Sequence, residues 1–140
     1  MLDINKQDMK YSRHGEKVKI YDRDENENIK YIEVVGEKIP VVLRETTGFS
    51  EPVSFSANIS NKLSEVLVKE FGIDDSSSYC QIVTDKGYLP IKAGDIIWKK
   101  SDVGRDSDGL VDDKTADYVV KGVADEGLTV DLFLLQKTVK

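Results

Sequence analysis

The stretch VSFSANIS, Val53–Ser60, decides the fold class of this chain. Its apolar residues stand at every second position and alternate with Ser and Asn. A period of two buries one face of a strand and leaves the other in water, which is typical of a half-buried β-strand. We therefore expect a sheet protein in which this strand has one face in the core.

The segment after this strand predicts one helix of roughly three turns. Ser60 or Asn61 can cap its start, and Gly72 can end it. The apolar residues in between have helical spacing: Leu63, Val66, Leu67 and Phe71.

Short runs of β-favouring residues follow the helix. Tyr79–Val83 and Ile96–Trp98 each predict a strand, with Trp98 in the core. Tyr118–Val123 and Val130–Leu135 flank the turn formers Asp-Glu-Gly at 125–127, so we expect them to pair as a hairpin.

The region before the strand predicts two further features. Residues 1–15 are polar and indicate an N-terminal arm outside the core. Residues 16–35 predict a hairpin, because the turn formers of Asp22–Asn28 separate two alternating runs. Val41–Leu43 predicts a short strand before a loop at 46–52.

Together these elements predict a single, mainly β domain (α+β) at residues 16–140. We expect a small β-barrel or sandwich of about seven strands, with one short helix, an extended N-terminal arm and long loops. The longest loop is a polar insertion at 101–114.

Composition limits the classes of function. A length of 140 residues fits one domain. The net charge of −6 argues against non-specific nucleic-acid binding, which needs Lys and Arg to displace counterions. No stretch approaches a transmembrane span, and the N-terminus lacks the apolar region of a signal peptide. We expect a protein kept in a cytosol-like compartment.

The sequence nominates no catalytic chemistry. One His, His14, and one Cys, Cys80, cannot form a zinc site, and they lie far apart in sequence. We interpret His14 as an exposed residue without a special role and Cys80 as a buried, inert thiol. Residues 22–33 resemble a calcium loop, but Glu27 stands where its sharp bend requires Gly. We therefore assign no catalytic residue, cofactor site, metal ligand or cofactor, and we expect no enzyme.

The order of segments in residues 49–140 resembles the head-tail joining, or head-closure (stopper), proteins of phages and prophages of Gram-positive bacteria. The resemblance rests on ordered strand patterns rather than on an invariant motif. The segments that carry it are Glu51–Ser60, Glu70–Asp74, Tyr79–Thr84, Leu89–Trp98, Ala116–Lys121 and Leu128–Leu135.

This resemblance implies a structural protein of the phage neck. Such proteins form a homo-oligomeric ring, of six or twelve copies, below the portal and its adaptor. The ring seals the channel after DNA packaging, and the tail terminator or tail tube docks on it. DNA passes through on ejection without specific binding, and no membrane is involved. The implied location is the virion neck, after assembly in the host cytoplasm.

The same resemblance suggests that one long loop reaches the channel. The insertion at 101–114 is the candidate, because its carboxylates would repel DNA phosphates; an ordinary surface loop is the alternative. The candidate channel-facing residues are Asp102, Asp106, Asp108, Asp112 and Asp113.

Three other functions remain open at the level of sequence. A tail terminator or another neck component has similar features. A monomeric β-barrel that binds a small ligand would need a sizeable apolar pocket. A small hydrolase would need a pair of carboxylates, and the sequence singles out no such pair.

Overall fold

A computed structural model describes residues 6–73, 78–127 and 129–139, which form ten strands and one α-helix. The predicted class, a small and mainly β-barrel protein with one short helix, is confirmed, with more strands than the seven expected. The elements are β1 (Gln7–Ser12), β2 (Glu16–Tyr21), β3 (Tyr31–Val34), β4 (Glu37–Pro40), β5 (Val42–Gly48), β6 (Val53–Ser60), α1 (Glu65–Phe71), β7 (Tyr79–Asp85), β8 (Ile96–Trp98), β9 (Tyr118–Ala124) and β10 (Val130–Lys137).

Six strands close into a barrel in the order β1-β6-β7-β10-β9-β8, and β8 pairs with β1 to complete it. All neighbouring strands are antiparallel. Side chains fill the barrel interior, as expected for a small barrel. The interior residues include Met9, Tyr11, Phe55, Ala57, Cys80, Ile82, Leu89, Ile91, Ile97, Val120, Phe133 and Leu135.

The alternation at Val53–Ser60 was read correctly, since β6 has these bounds and Phe55 and Ala57 are buried. The predicted hairpin at the C-terminal end is also confirmed, because β9 pairs with β10. Trp98 is buried, as predicted. In the described residues, no helix combines the length and apolar character that crossing a membrane requires.

The helix is shorter than predicted and begins later. Its N-cap is Ser64, while Ser60 ends β6 and accepts a hydrogen bond from the Lys62 backbone at 3.1 Å. Gly72 ends the helix in the left-handed conformation, with φ of 63°, as predicted. The helix packs on the outside of the barrel through Leu67, which is buried against Leu134 of β10.

The prediction of an N-terminal arm outside the core was wrong where the structure describes it. Residues 7–12 form β1, which lies between β6 and β8 and closes the barrel. Met9 and Tyr11 point into the core, and only these two inward positions are strongly apolar. Gln7, Asp8 and Lys10 are exposed, so most of the segment is polar in sequence. Residues 1–5 of the predicted arm lie outside the described residues.

The predicted hairpin at 16–35 was also wrong in its pairing. Strand β2 pairs with β5, and β3 pairs with β4. Residues 16–48 thus form one long β-ribbon, with the β3–β4 hairpin at its far end. The predicted loop at 46–52 begins late, since β5 continues to Gly48. The turn formers at 22–28 fold into a side loop that an isolated bridge between Arg23 and Ile29 closes.

Candidate interaction surface

Asp117 holds the start of the insertion at 101–114. Its carboxylate accepts hydrogen bonds from three consecutive backbone N–H groups, those of Lys99 at 2.8 Å, Lys100 at 2.8 Å and Ser101 at 2.9 Å. The Ser101 hydroxyl adds a fourth at 2.7 Å. Partial burial acts to raise the pKa of Asp117, but these hydrogen bonds outweigh it and hold the pKa well below its usual range. The carboxylate is therefore charged and fixes the chain as it leaves β8.

Thr115 holds the other end of the insertion. Its hydroxyl donates to the Asp112 carbonyl at 2.7 Å and accepts from Trp98 Nε1 and the Gly104 N–H, both at 3.0 Å. Gly104 also lies so close to Thr115 that a Cβ at position 104 would collide with the Thr115 methyl group. The insertion is therefore anchored at both ends to the barrel wall.

The five aspartates proposed for the channel do not act as one group. Asp106 accepts hydrogen bonds from its own loop, and Asp112 caps a 3₁₀ turn by accepting from the Lys114 N–H at 3.0 Å. Asp108 forms an ion pair with Arg44 of β5 at 3.7 Å. Asp102 and Asp113 are exposed at the surface. Three of the five carboxylates thus have local structural contacts.

The insertion contacts the base of the β-ribbon. Besides the Arg44 ion pair, Arg105 donates two hydrogen bonds to the Glu51 carboxylate, at 3.0 and 2.6 Å. The hydrogen bond from Arg105 lowers the pKa of Glu51. A Cβ added to Gly109 would lie only 2.6 Å from a guanidinium nitrogen of Arg23. The ribbon is therefore braced against the loop rather than attached to the barrel only by its ends.

Two loops at this contact have the same design, which the sequence interpretation missed. Residues 23–29 and 105–111 both begin with Arg-Asp, and an isolated bridge closes each. In each, the Asp carboxylate accepts from backbone N–H groups two and four residues later, at 2.9 and 3.0 Å. The shared Arg-Asp-X-Asn/Asp pattern was the available signal. In the first loop Asp24, one of the carboxylates that the calcium template would use, instead accepts hydrogen bonds from the backbone of its own loop.

His14 has a structural contact that the sequence interpretation did not foresee. Its ring Nδ1 lies against Oδ1 of Asp95, a carboxylate that is almost fully buried. Asp95 also accepts from the backbone N–H groups of His14 at 2.9 Å and Lys92 at 2.7 Å. The interpretation of His14 as a residue without a role is therefore corrected. The two residues are 81 positions apart, so no local pattern links them.

Cys80 is buried in the barrel interior, as predicted. Burial raises the pKa of its thiol to about 11, against smaller opposing effects of Lys137 and Lys99. A neutral, enclosed thiol has no nucleophilic role.

The β3–β4 hairpin and the adjoining start of β5 carry an exposed apolar surface. Eleven large hydrophobic residues are exposed in the described part of the chain, and seven of them lie between positions 31 and 43. We call residues 31–40 the hairpin, and Val35 at its tip is 98% exposed. The seven exposed hydrophobic residues of the hairpin and the start of β5 are Tyr31, Ile32, Val34, Val35, Ile39, Val42 and Leu43.

A groove of about 660 Å³ runs along the barrel wall beside β1 and β6. Met9, Phe55 and Trp98 lie beneath it with only 2 to 7% of their surface exposed, and Tyr88 stands half-exposed at its edge. Charged and polar residues complete its lining: Asp8, Lys10, Ser54, Ser56, Lys99, Lys100, Ser101 and Asp102.

Neither the family models nor the curated proteins nor the solved structures compared with this chain match it. Across residues 6–73, 78–127 and 129–139, no group of three or more His, Cys, Asp or Glu side chains could hold a metal ion. The ribbon, the insertion and the groove together form the candidate functional surface.

Proposed function

We propose that this chain is a structural, ring-forming component of a tailed-phage neck, a head-closure protein rather than an enzyme. The observation that carries the proposal is the apolar hairpin that extends from a closed, filled barrel. An exposed apolar surface of this extent is typical of a protein that works bound to a partner. The order of segments in residues 49–140 resembles that of head-tail joining proteins, and this resemblance is our reason for placing the assembly in a phage neck.

The filled barrel favours this proposal over a small-ligand carrier. A ligand-binding barrel needs an enclosed apolar pocket with a few polar groups. Here twelve buried side chains occupy the interior, from Met9 to Leu135. A cleft of about 870 Å³ lies instead on the outer surface, between the ribbon and the insertion.

The acidic insertion remains our candidate for the surface that faces DNA. Asp113 is its most informative residue, because it is exposed, its carboxylate does not hold the loop, and it lies outside the barrel groove. We expect Asp113→Asn to leave the fold unchanged and to alter DNA retention or ejection. Normal retention and ejection in this variant would contradict a channel role for Asp113.

A head-closure role predicts binding to a defined partner at fixed stoichiometry. The experiment measures the mass of the purified chain across a concentration series, alone and with portal–adaptor complexes. We expect a ring, or a monomer that joins the complexes in a constant ratio. A chain that ignores the complexes at every concentration would exclude the head-closure function. A tail terminator would instead bind isolated tail tubes, so the same measurement with tubes separates the two neck roles.

A further inference from the structure

We propose that the hairpin of one copy docks into the barrel groove of a second copy, and that this head-to-tail contact builds the assembly. The inference rests on the proposed ring-forming function and names its interface. The occupant is thus a second copy of this chain.

The hairpin has the shape and surface of an inserting element. Facing pairs across the hairpin lie on the same side of the two strands, so Ile32, Ile39 and Val34 share one face. Val35 and Gly36 turn at the tip with positive φ of 51° and 80°. A positive φ is unfavourable for a β-branched residue such as Val35. Burial of the Val35 side chain against a second copy would compensate for this cost.

The apolar surface of the hairpin is typical of an element that a partner covers. Five large side chains of the hairpin are 42 to 98% exposed, and three of them, Ile32, Val34 and Ile39, share one face. Monomeric proteins rarely leave such contiguous apolar patches uncovered. A two-stranded hairpin gains little stability alone in water, so a partner surface would also stabilise it.

The charges of the two surfaces are complementary. The hairpin carries Glu33, Glu37 and Lys38, which gives it a net charge of −1. The groove is lined by three lysines and two aspartates, which give it a net charge of +1. The whole chain has a net charge of −6, so these are surfaces on which two acidic copies can meet with little repulsion.

The contact is heterologous, because the hairpin and the groove are different surfaces of the same chain. An open assembly therefore keeps one free hairpin at one end and one free groove at the other until it closes on itself. A rotation that closes gives a ring, in agreement with the proposed function. The groove provides apolar contact for the hairpin through the half-exposed ring of Tyr88 and the aliphatic stems of Lys10 and Lys100.

The test uses one variant of each surface. Val35→Asp places a charge at the tip, and Asp tolerates positive φ better than Val does. Its matched control is Val139→Asp, since Val139 is equally exposed, at 101%. Lys10→Glu with Lys100→Glu reverses the groove charge, and Lys62→Glu with Lys121→Glu is its control, because all four lysines are exposed.

We expect both surface variants to raise the dissociation constant of self-association about tenfold or more in sedimentation equilibrium, while the controls assemble like the wild type. An equimolar mixture of the two variants is the decisive measurement. One intact hairpin then meets one intact groove, so the mixture forms dimers and nothing larger. A mixture that remains monomeric, or a groove variant that assembles normally, would overturn the proposal. A wild-type chain that stays monomeric at every concentration would also overturn it.

Portal–adaptor complexes separate this inference from the proposed function. If the wild type joins them but Val35→Asp self-assembles normally, the hairpin contact is wrong and the neck function stands. If the hairpin and groove build an assembly that ignores the complexes, the neck function is wrong and the contact stands.

Discussion

Single buried or half-buried carboxylates hold together parts of the chain that are distant in sequence. Asp117 fixes the segment that leaves β8, and Asp95 joins the β1–β2 corner to the loop before β8 through His14 and Lys92. Asp131 accepts from the Gly87 N–H at 2.9 Å and thereby ties β10 to the turn after β7. Such bonds order loops that have no helix or strand of their own.

Asp117 gives the stability a defined pH dependence. Its folded-state pKa is depressed, so it stabilises the fold above its unfolded pKa of ~3.9 and the contribution is lost as pH falls below it. We expect Asp117→Asn to lower the free energy of unfolding by about 2 kcal/mol at pH 7, measured in urea. At pH 3 the difference from the wild type becomes smaller.

The matched control for this prediction is Asp102→Asn, an exposed aspartate fifteen positions earlier in the chain. We expect it to change the free energy of unfolding by less than about 0.5 kcal/mol at either pH. An equal loss in both variants would mean that net charge, rather than the hydrogen bonds of Asp117, stabilises the fold.

Cys80 provides a probe of barrel opening. With a pKa of about 11 and no exposed surface, its thiol should not react with Ellman's reagent at pH 8 while the protein is folded. We expect the reaction to accelerate about a hundredfold or more in denaturing urea. Cys80→Ala with Val139→Cys is the control, because its exposed thiol reacts under both conditions. Rapid native reaction of Cys80 would contradict the closed barrel.

At the scale of elements, the sequence predicts those helices, strands and turns that depend only on residues close together in the chain. Alternation identifies β6, and Gly72 ends the helix, because both depend on local geometry. The pairing of β2 with β5 could not be predicted, since the β3–β4 hairpin and a side loop lie between them in sequence. Strand β1 was missed for a related reason: its burial depends on two inward residues, and its other side faces water. The contacts of Asp95 and Asp117 join positions that only the completed fold brings together.

The helix contacts the barrel at one position where only glycine fits. A Cβ on Gly122 of β9 would overlap the Phe71 ring of α1. We expect Gly122→Ala to lower the free energy of unfolding by about 2 kcal/mol, because the ring has to move from its place on the sheet. Gly127→Ala is the control, since its Cβ has only an ordinary contact at 3.4 Å.

A second substitution identifies the cause of that loss. Phe71→Leu replaces the ring by a smaller aliphatic side chain, so it should recover some of the stability in the Gly122→Ala background. If Phe71→Leu destabilises both backgrounds equally, the two residues do not interact, and the loss at Gly122 reflects strand conformation instead.

At the scale of the whole molecule, the barrel and the hairpin are separable. Lys30 and Val41 already form a backbone hydrogen bond of 2.9 Å at the base of the hairpin. Replacing residues 31–40 by Asn-Gly therefore joins two facing positions with a favoured turn. We expect the melting temperature to change by less than about 4 °C, measured by circular dichroism. A chain that no longer folds would show that the hairpin belongs to the folding unit of the barrel.

The closure of the barrel depends on its shortest strand. β8 has three residues, and it meets β9 at only two facing pairs and β1 at three, whereas β10 and β7 share seven. Two facing pairs are the smallest number between any two neighbouring strands of the barrel, so this seam along Ile96–Trp98 depends most on bonds made outside the strands. The hydrogen bonds of Asp95 and Asp117 hold the chain at either end of β8 and so keep this seam closed.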